Sequence, residues 1–213
     1  MKETERNQIE VEIMNTPPHE KIRMTPEEYR DFEKNSDTKH EYFDGEIFAM
    51  AGASPNHNRI QHNISGLLWS QRASRPCDTF LSDQRVKIEA AENYTYPDLS
   101  IACEEVEFDG DDCLVNPVII IEILSKTSEA FDRGDKFTLY RMIPSLKEYI
   151  LVSQYSSKVE RFIRGEDGIW QILNPCTDMA SSVKIESIDC ELPLSDIYYR
   201  VEFETGPEPG RAV

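Results

Sequence analysis

Two carboxylates in this sequence stand where a carboxylate is costly. Glu122 interrupts an aliphatic run, Val118-Ile119-Ile120-Ile121-Glu122-Ile123-Leu124, which reads as a strand buried on both faces. Alternation along such a strand puts 118, 120, 122 and 124 on one face and 119, 121 and 123 on the other. A carboxylate held inside needs a cation, a metal ion or hydrogen-bond donors, and a structural ion pair would satisfy it as well as a catalytic site. The second acid, Asp98, stands near the start of a strand read over residues 96–103, Tyr96-Pro97-Asp98-Leu99-Ser100-Ile101-Ala102-Cys103. Leu99, Ile101 and Cys103 face one way; Asp98, Ser100 and Ala102 form a small, polar face that can border a cleft. Proline followed by aspartate is also a common turn or cap. Two strand acids 24 residues apart (122 − 98) make a hard-cation site, and Mg2+ or Mn2+ takes few carboxylates and several waters. Lys136 follows in Asp132-Arg133-Gly134-Asp135-Lys136-Phe137. It is either an i,i+4 partner of Asp132 or a cation that orients an attacking water and steadies charge on phosphate.

The elements that must position these groups are legible in outline. Thr25-Pro26-Glu27-Glu28 combines an N-cap, a first-position proline and early acids, so a short helix opens there. Asp44-Gly45 between Tyr42-Phe43 and Ile47-Phe48 signals a two-residue hairpin. Ile60, Ile64, Leu67 and Leu68 recur at helical spacing over 55–73. Strands are read at 84–89, 96–103 and 117–124, separated by a polar turn and an acidic loop at 104–116. A helix over 128–143, interrupted or delayed by Gly134, leads to strands at 148–153, 158–164 and 169–173, and a last short helix lies near 194–199. This order gives an α/β or α+β fold with a central mixed sheet flanked by helices.

Composition narrows the function classes. The chain has 213 residues, and its 23 bases against 40 acids give a net charge of −17, which excludes a generally basic nucleic-acid coat and a polybasic membrane binder. Residues 91–113 carry eight acids and no base; residues 55–90 (five bases, three acids) and 128–164 (seven bases, five acids) are mildly basic. A polyanion would meet those two segments. Five cysteines without a CxxC pair argue against a zinc ribbon and a secreted disulfide framework. No apolar run approaches membrane-spanning length, so a cytoplasmic protein is expected. Residues 1–24 read as a loose arm, 25–203 as one domain and 204–213 as a disordered tail.

The ordered pieces closely resemble a known family. Glu41-Tyr42-Phe43-Asp44-Gly45-Glu46-Ile47, Met50-Ala51-Gly52-Ala53-Ser54 with His57, Tyr96-Pro97-Asp98, Ile121-Glu122-Ile123-Leu124-Ser125-Lys126-Thr127-Ser128-Glu129, Asp132-Arg133-Gly134-Asp135-Lys136-Phe137, Tyr140-Arg141, Pro144-Ser145-Leu146-Lys147-Glu148-Tyr149 and Asp196-Ile197-Tyr198 are similar to the Uma-two restriction-endonuclease-like family of the PD-(D/E)XK nuclease-like superfamily. The resemblance implies a restriction-endonuclease-like mixed sheet in which acids from adjacent strands hold a divalent ion, Mg2+ or Mn2+. Asp98 then matches the PD aspartate and Glu122 the D/E position. The superfamily lysine would fall at Leu124, so Lys136 is its displaced replacement, and Glu41 is an additional N-terminal acid. DNA is the implied substrate, and a homodimer the implied assembly.

Other chemistries are not supported. His57 and His62 are five apart, which is not the spacing of a helical zinc pair; His57 reads as a helix-terminal surface residue that could border the cleft. Ser54 is not in GxSxG, and no phosphate-binding glycine loop is present. Cys103 reads as a small core residue, Trp69 and Trp170 as packing. Gln84 or Arg85, on the strand before the site, is a candidate phosphate contact. Two function classes remain: a metal-dependent DNA phosphodiesterase, and an inactive nuclease-like fold serving as a protein-interaction module, which the acidity favours because DNA affinity rests on phosphate neutralisation.

Overall fold

The structure, a computed structural model, describes residues 23–71, 76–110 and 112–203. The N-terminal helix α1 (Pro26–Glu33) forms as its capping residues dictate. Thr25 Oγ1 accepts the Glu28 N–H at 3.2 Å and Glu28 Oε2 accepts the Thr25 N–H at 2.8 Å, a reciprocal capping box. Strands β1 (His40–Phe43) and β2 (Glu46–Ala49) are joined by Asp44-Gly45. Both turn residues have positive φ, 48° and 86°, the turn geometry that follows the natural strand twist. Met24, assigned to the arm, is already tied in, its N–H donating to Gly45 O at 2.8 Å. Residues 1–22 of the arm and the tail 204–213 lie outside the described residues.

Two six-stranded sheets follow rather than one central sheet. In the first, the order is β2-β1-β5-β4-β8-β7, with β4 (Arg85–Ile88), β5 (Asn93–Thr95), β7 (Phe108–Asp109) and β8 (Cys113–Leu114). The acidic loop expected at 104–116 thus contains two of its strands. In the second, the order is β12-β11-β10-β9-β6-β3, with β3 (Cys77–Leu81), β6 (Leu99–Cys103), β9 (Ile119–Leu124), β10 (Glu148–Ser153), β11 (Val159–Arg164) and β12 (Trp170–Ile172). Only β9 and β10 run parallel there, so the sheet is mixed. The strand expected over 96–103 begins only at Leu99, as β6 of the second sheet; β5 ends at Thr95 in the first sheet, and Tyr96-Pro97-Asp98 crosses between them. Pro97 lacks the N–H a ladder needs, which ends the pairing there.

Strand β9 is buried along its whole length, and its alternation holds. Ile119, Ile121 and Ile123 pack with Ile60, Ile64 and Leu68 of helix α2 (Pro55–Ser70) and with the strand pair β13 (Ser182–Ile185) and β14 (Cys190–Pro193). Ile120 and Leu124 face the other way, against Val86 and Ile88 of the first sheet and Tyr140, Tyr149 and Leu151. Each fully buried aliphatic side chain contributes roughly 1.5–3 kcal/mol, which offsets the cost of the one carboxylate in the strand. The helix expected over 128–143 is broken into α3 (Glu129–Phe131), a π turn (Asp132–Lys136) and α4 (Phe137–Tyr140). Gly134 lies in the middle of the π turn. The last helix, α5 (Leu194–Ile197), closes the core over α2. No helix among the described residues is long and apolar enough to cross a membrane.

Cys103 is not a lone core residue. It faces Cys77 directly across the β3–β6 ladder and is bonded to it by a disulfide. The bond ties an edge strand to the strand that begins beside Asp98. Closing a loop of this length, a separation of 26 residues, stabilises a fold by about 3 kcal/mol. A dithiol reductant should therefore lower the melting temperature by several degrees, and Cys77→Ala should lower it similarly and abolish the response to reductant. Melts identical with and without reductant would show that β3 is held by its ladder alone.

Candidate active site

The strand pairing brings the two acids together. Leu99 pairs with Ile121 in the antiparallel β6–β9 ladder, so one step back Asp98 stands opposite Glu122. The contact is direct: the Asp98 N–H donates to Glu122 Oε2 at 3.2 Å, and the Ile123 N–H donates to Asp98 Oδ2 at 2.7 Å. Each acid thus holds the backbone beside the other.

Lys136 enters from the π turn. Its Nζ lies 2.9 Å from Glu41 Oε1, 3.0 Å from Glu122 Oε1 and 3.6 Å from Asp132 Oδ1. The lysine thus makes the i,i+4 pair with Asp132 and also points into the cluster. Glu41 arrives on β1 of the first sheet, and its Oε1 also accepts the Tyr96 N–H at 3.1 Å. Tyr140, four residues beyond Lys136, donates its hydroxyl to Glu122 Oε1 at 2.9 Å. All four residues singled out from the sequence, Glu41, Asp98, Glu122 and Lys136, meet in one place.

Burial sets the electrostatics. Glu122, Asp132 and Lys136 are at most 5% exposed, whereas Glu41, Asp98 and His57 keep a little more exposure and form the mouth. Burial pushes the Glu122 carboxyl up to about 8; Lys136 opposes this, and Asp132, Asp98 and Glu41 reinforce it. Asp132 is raised for the same reason, desolvation outweighing Lys136 and its hydrogen bond with Ser128. Desolvation alone would lower the Lys136 ammonium, but Glu122 and Glu41 hold it well above its usual range. Three carboxyl groups contact the one ammonium and Asp98 adds a fourth beside Glu122, so acids outnumber the base in the cluster.

Sequence reasoning leaves Asp132 and Tyr140 out of the site, and three further residues, His57, Gln84 and Arg85, stand differently from its expectation. Asp132 and Tyr140 flank Lys136 at four-residue spacing, a buried polar stripe that the helical period could have revealed. His57 is not a plain surface residue, because its Nε2 lies 3.1 Å from Asp98 Oδ2. The candidate phosphate contacts are excluded: Arg85 is buried between the rings of Tyr29 and Tyr94 and paired with Asp112 at 2.5 Å. Gln84 Nε2 donates to the carbonyls of Arg85 and Asp112. Two surface cavities, of about 300 Å³ beside His62 and Tyr199 and about 200 Å³ beside Cys77 and Cys190, lie away from this cluster.

With this geometry in place, the chain was compared with known proteins. The family model described as "Uma2: Putative restriction endonuclease" matches residues 26–194. The chain belongs to the Uma2 family. Two relatives of this Uma2 protein come from Synechocystis sp.: uncharacterized protein slr1290, 35% identical over 90% of this chain and 100% of that one, and uncharacterized protein sll1609, 39% identical over 69% and 84%. A crystal structure of a "putative nuclease belonging to DUF820" from Anabaena variabilis superposes with a TM-score of 0.66 at 17% identity, covering 82% of this chain and 97% of that one. The Uma2 chain therefore has a mixed α+β, restriction-endonuclease-like fold.

The buried cluster dictates a pH response. The Glu122 carboxyl binds its proton more tightly when folded (about 8) than when unfolded (4.5). The folded state then holds more protons across that window, so metal-free stability falls as pH rises from about 5 to 8. Glu122→Gln cannot titrate and leaves Lys136 two carboxylates. In chelator it should match the wild type at pH 5 and equal or exceed it at pH 8, measured by chemical denaturation. A wild type equally stable at both values, with a mutant several kcal/mol weaker throughout, would make Glu122 the anion of a structural pair.

Proposed function

We propose that this Uma2 protein is a divalent-metal-dependent endonuclease that hydrolyses phosphodiester bonds in DNA. The observation that carries the reading is the meeting of Glu41, Asp98, Glu122 and Lys136 at the crossover between two sheets, in a family whose description is that of a restriction endonuclease. The donor set fits a hard cation. It is made of carboxylate oxygens in surplus over one ammonium, and Asp98 Oδ1 accepts no hydrogen bond among the described residues. No group of three or more His, Cys, Asp or Glu residues among the described residues is arranged to hold a metal ion. Magnesium does not require one, because it keeps several waters beside one or two carboxylates.

Asp98 and Glu122 would hold Mg2+ or Mn2+. A bound ion of this kind lowers the pKa of a water and offsets charge on the scissile phosphate. Lys136 supplies the protein's own positive charge, aimed by Glu41 and Asp132, to orient the attacking water and steady the developing negative charge. Tyr140 fixes the Glu122 carboxylate by its hydroxyl hydrogen bond. A homodimer would present two such sites to the two strands of a duplex.

The test is cleavage of plasmid and oligonucleotide DNA with Mg2+ or Mn2+, against chelator. Cleavage should require the metal, vanish in Asp98→Asn and Glu122→Gln, and fall about 100-fold or more in Lys136→Ala. It should also weaken steeply with salt as phosphate contacts release counterions. Cleavage surviving chelator, or surviving both acid substitutions, would place the chemistry elsewhere.

A further inference from the structure

We infer that His57 is a positioning residue for Asp98, fixing its carboxylate so that Oδ1 faces a divalent cation; the inference rests on the reading of Asp98 as a ligand. Helix α2 grips this one residue at two points. His57 Nε2 lies 3.1 Å from Asp98 Oδ2, and Gln61 Nε2 donates to the Asp98 carbonyl at 2.7 Å. His57 and Gln61 are four apart, hence neighbours along one helix face, and Ile60 and Ile64 pack that helix into the core. Together with the Ile123 N–H at 2.7 Å, the imidazole occupies Oδ2 and leaves Oδ1 without a hydrogen bond among the described residues.

The ring is not there to satisfy itself. Its Nδ1 is shielded from solvent and has no hydrogen-bond partner among the described residues. A histidine kept only for packing would be expected to use both ring nitrogens, since buried polar atoms are paired almost without exception. Groups that hydrogen-bond a ligating side chain fix its orientation, and their loss weakens metal affinity about 10- to 100-fold.

The experiment is calorimetric titration of Mn2+ into the full chain without nucleic acid, with thermal melts in chelator to show that each variant folds. His57→Ala should weaken binding about tenfold or more. His57→Gln places an amide nitrogen near the position of Nε2 and should restore most of the affinity. His57→Asn reaches only the position of Nδ1 and should not. Affinity unchanged in His57→Ala, or rescue by Asn as good as by Gln, overturns the inference. A wild type that takes up no Mn2+ removes the ligand reading of Asp98 and the inference together. Binding lost in Asp98→Asn but intact in His57→Ala removes the inference alone.

Discussion

A single buried ammonium organises this molecule. Lys136 is almost wholly removed from water, and desolvating such an ion costs several kcal/mol unless carboxylates surround it. Three do, and each comes from a different part of the chain: Glu41 from the first sheet, Glu122 from the centre of the second, Asp132 from the π turn. The ammonium therefore works as a rivet through three layers. The same carboxylates overcompensate it, and Tyr140 and the backbone N–H groups of Tyr96 and Asp98 share in holding them.

The rivet sits where the chain changes sheets. Tyr96 is fixed at both ends, its N–H on Glu41 and its hydroxyl on Glu33 Oε1 at 2.8 Å, before Pro97 releases the backbone from one ladder and Asp98 starts it on the next. An acid at such a crossing is held by main-chain geometry on one side and by α2 on the other. It is far less free to rotate than an acid on an exposed loop.

What the sequence discloses is mostly what is local. The Thr25 cap, the Asp44-Gly45 turn and the aliphatic run of β9 each carry their own signal within a few residues. The first sheet does not, because strands such as Asn93–Thr95 and Cys113–Leu114 are too short to show a period. The same limit applies to Cys77 and Cys103, to Arg85 between two tyrosine rings, and to His57, whose partner lies 41 residues on (98 − 57). Glu122 is legible because a charge inside an apolar strand is anomalous wherever it occurs, and Asp98 because it opens a polar face that alternates with Leu99, Ile101 and Cys103. Glu41 and Lys136 entered through the family pattern, since neither is anomalous in its own neighbourhood.

Leu124 occupies the place where the superfamily pattern puts its lysine, and it is 1% exposed in the core. Lys136 reaches Glu122 from the neighbouring helical segment instead, which divides the charges between two kinds of element. The central strand is relieved of a second charge and can be aliphatic at every position except Glu122, so its rigidity comes from packing on both faces. The cation stands on the π turn Asp132–Lys136, a local widening of the helix of the kind often found at functional sites. Glu122, the one carboxylate of that strand, is thereby anchored to the least deformable element of the sheet, while its counter-ion is delivered from outside the sheet altogether.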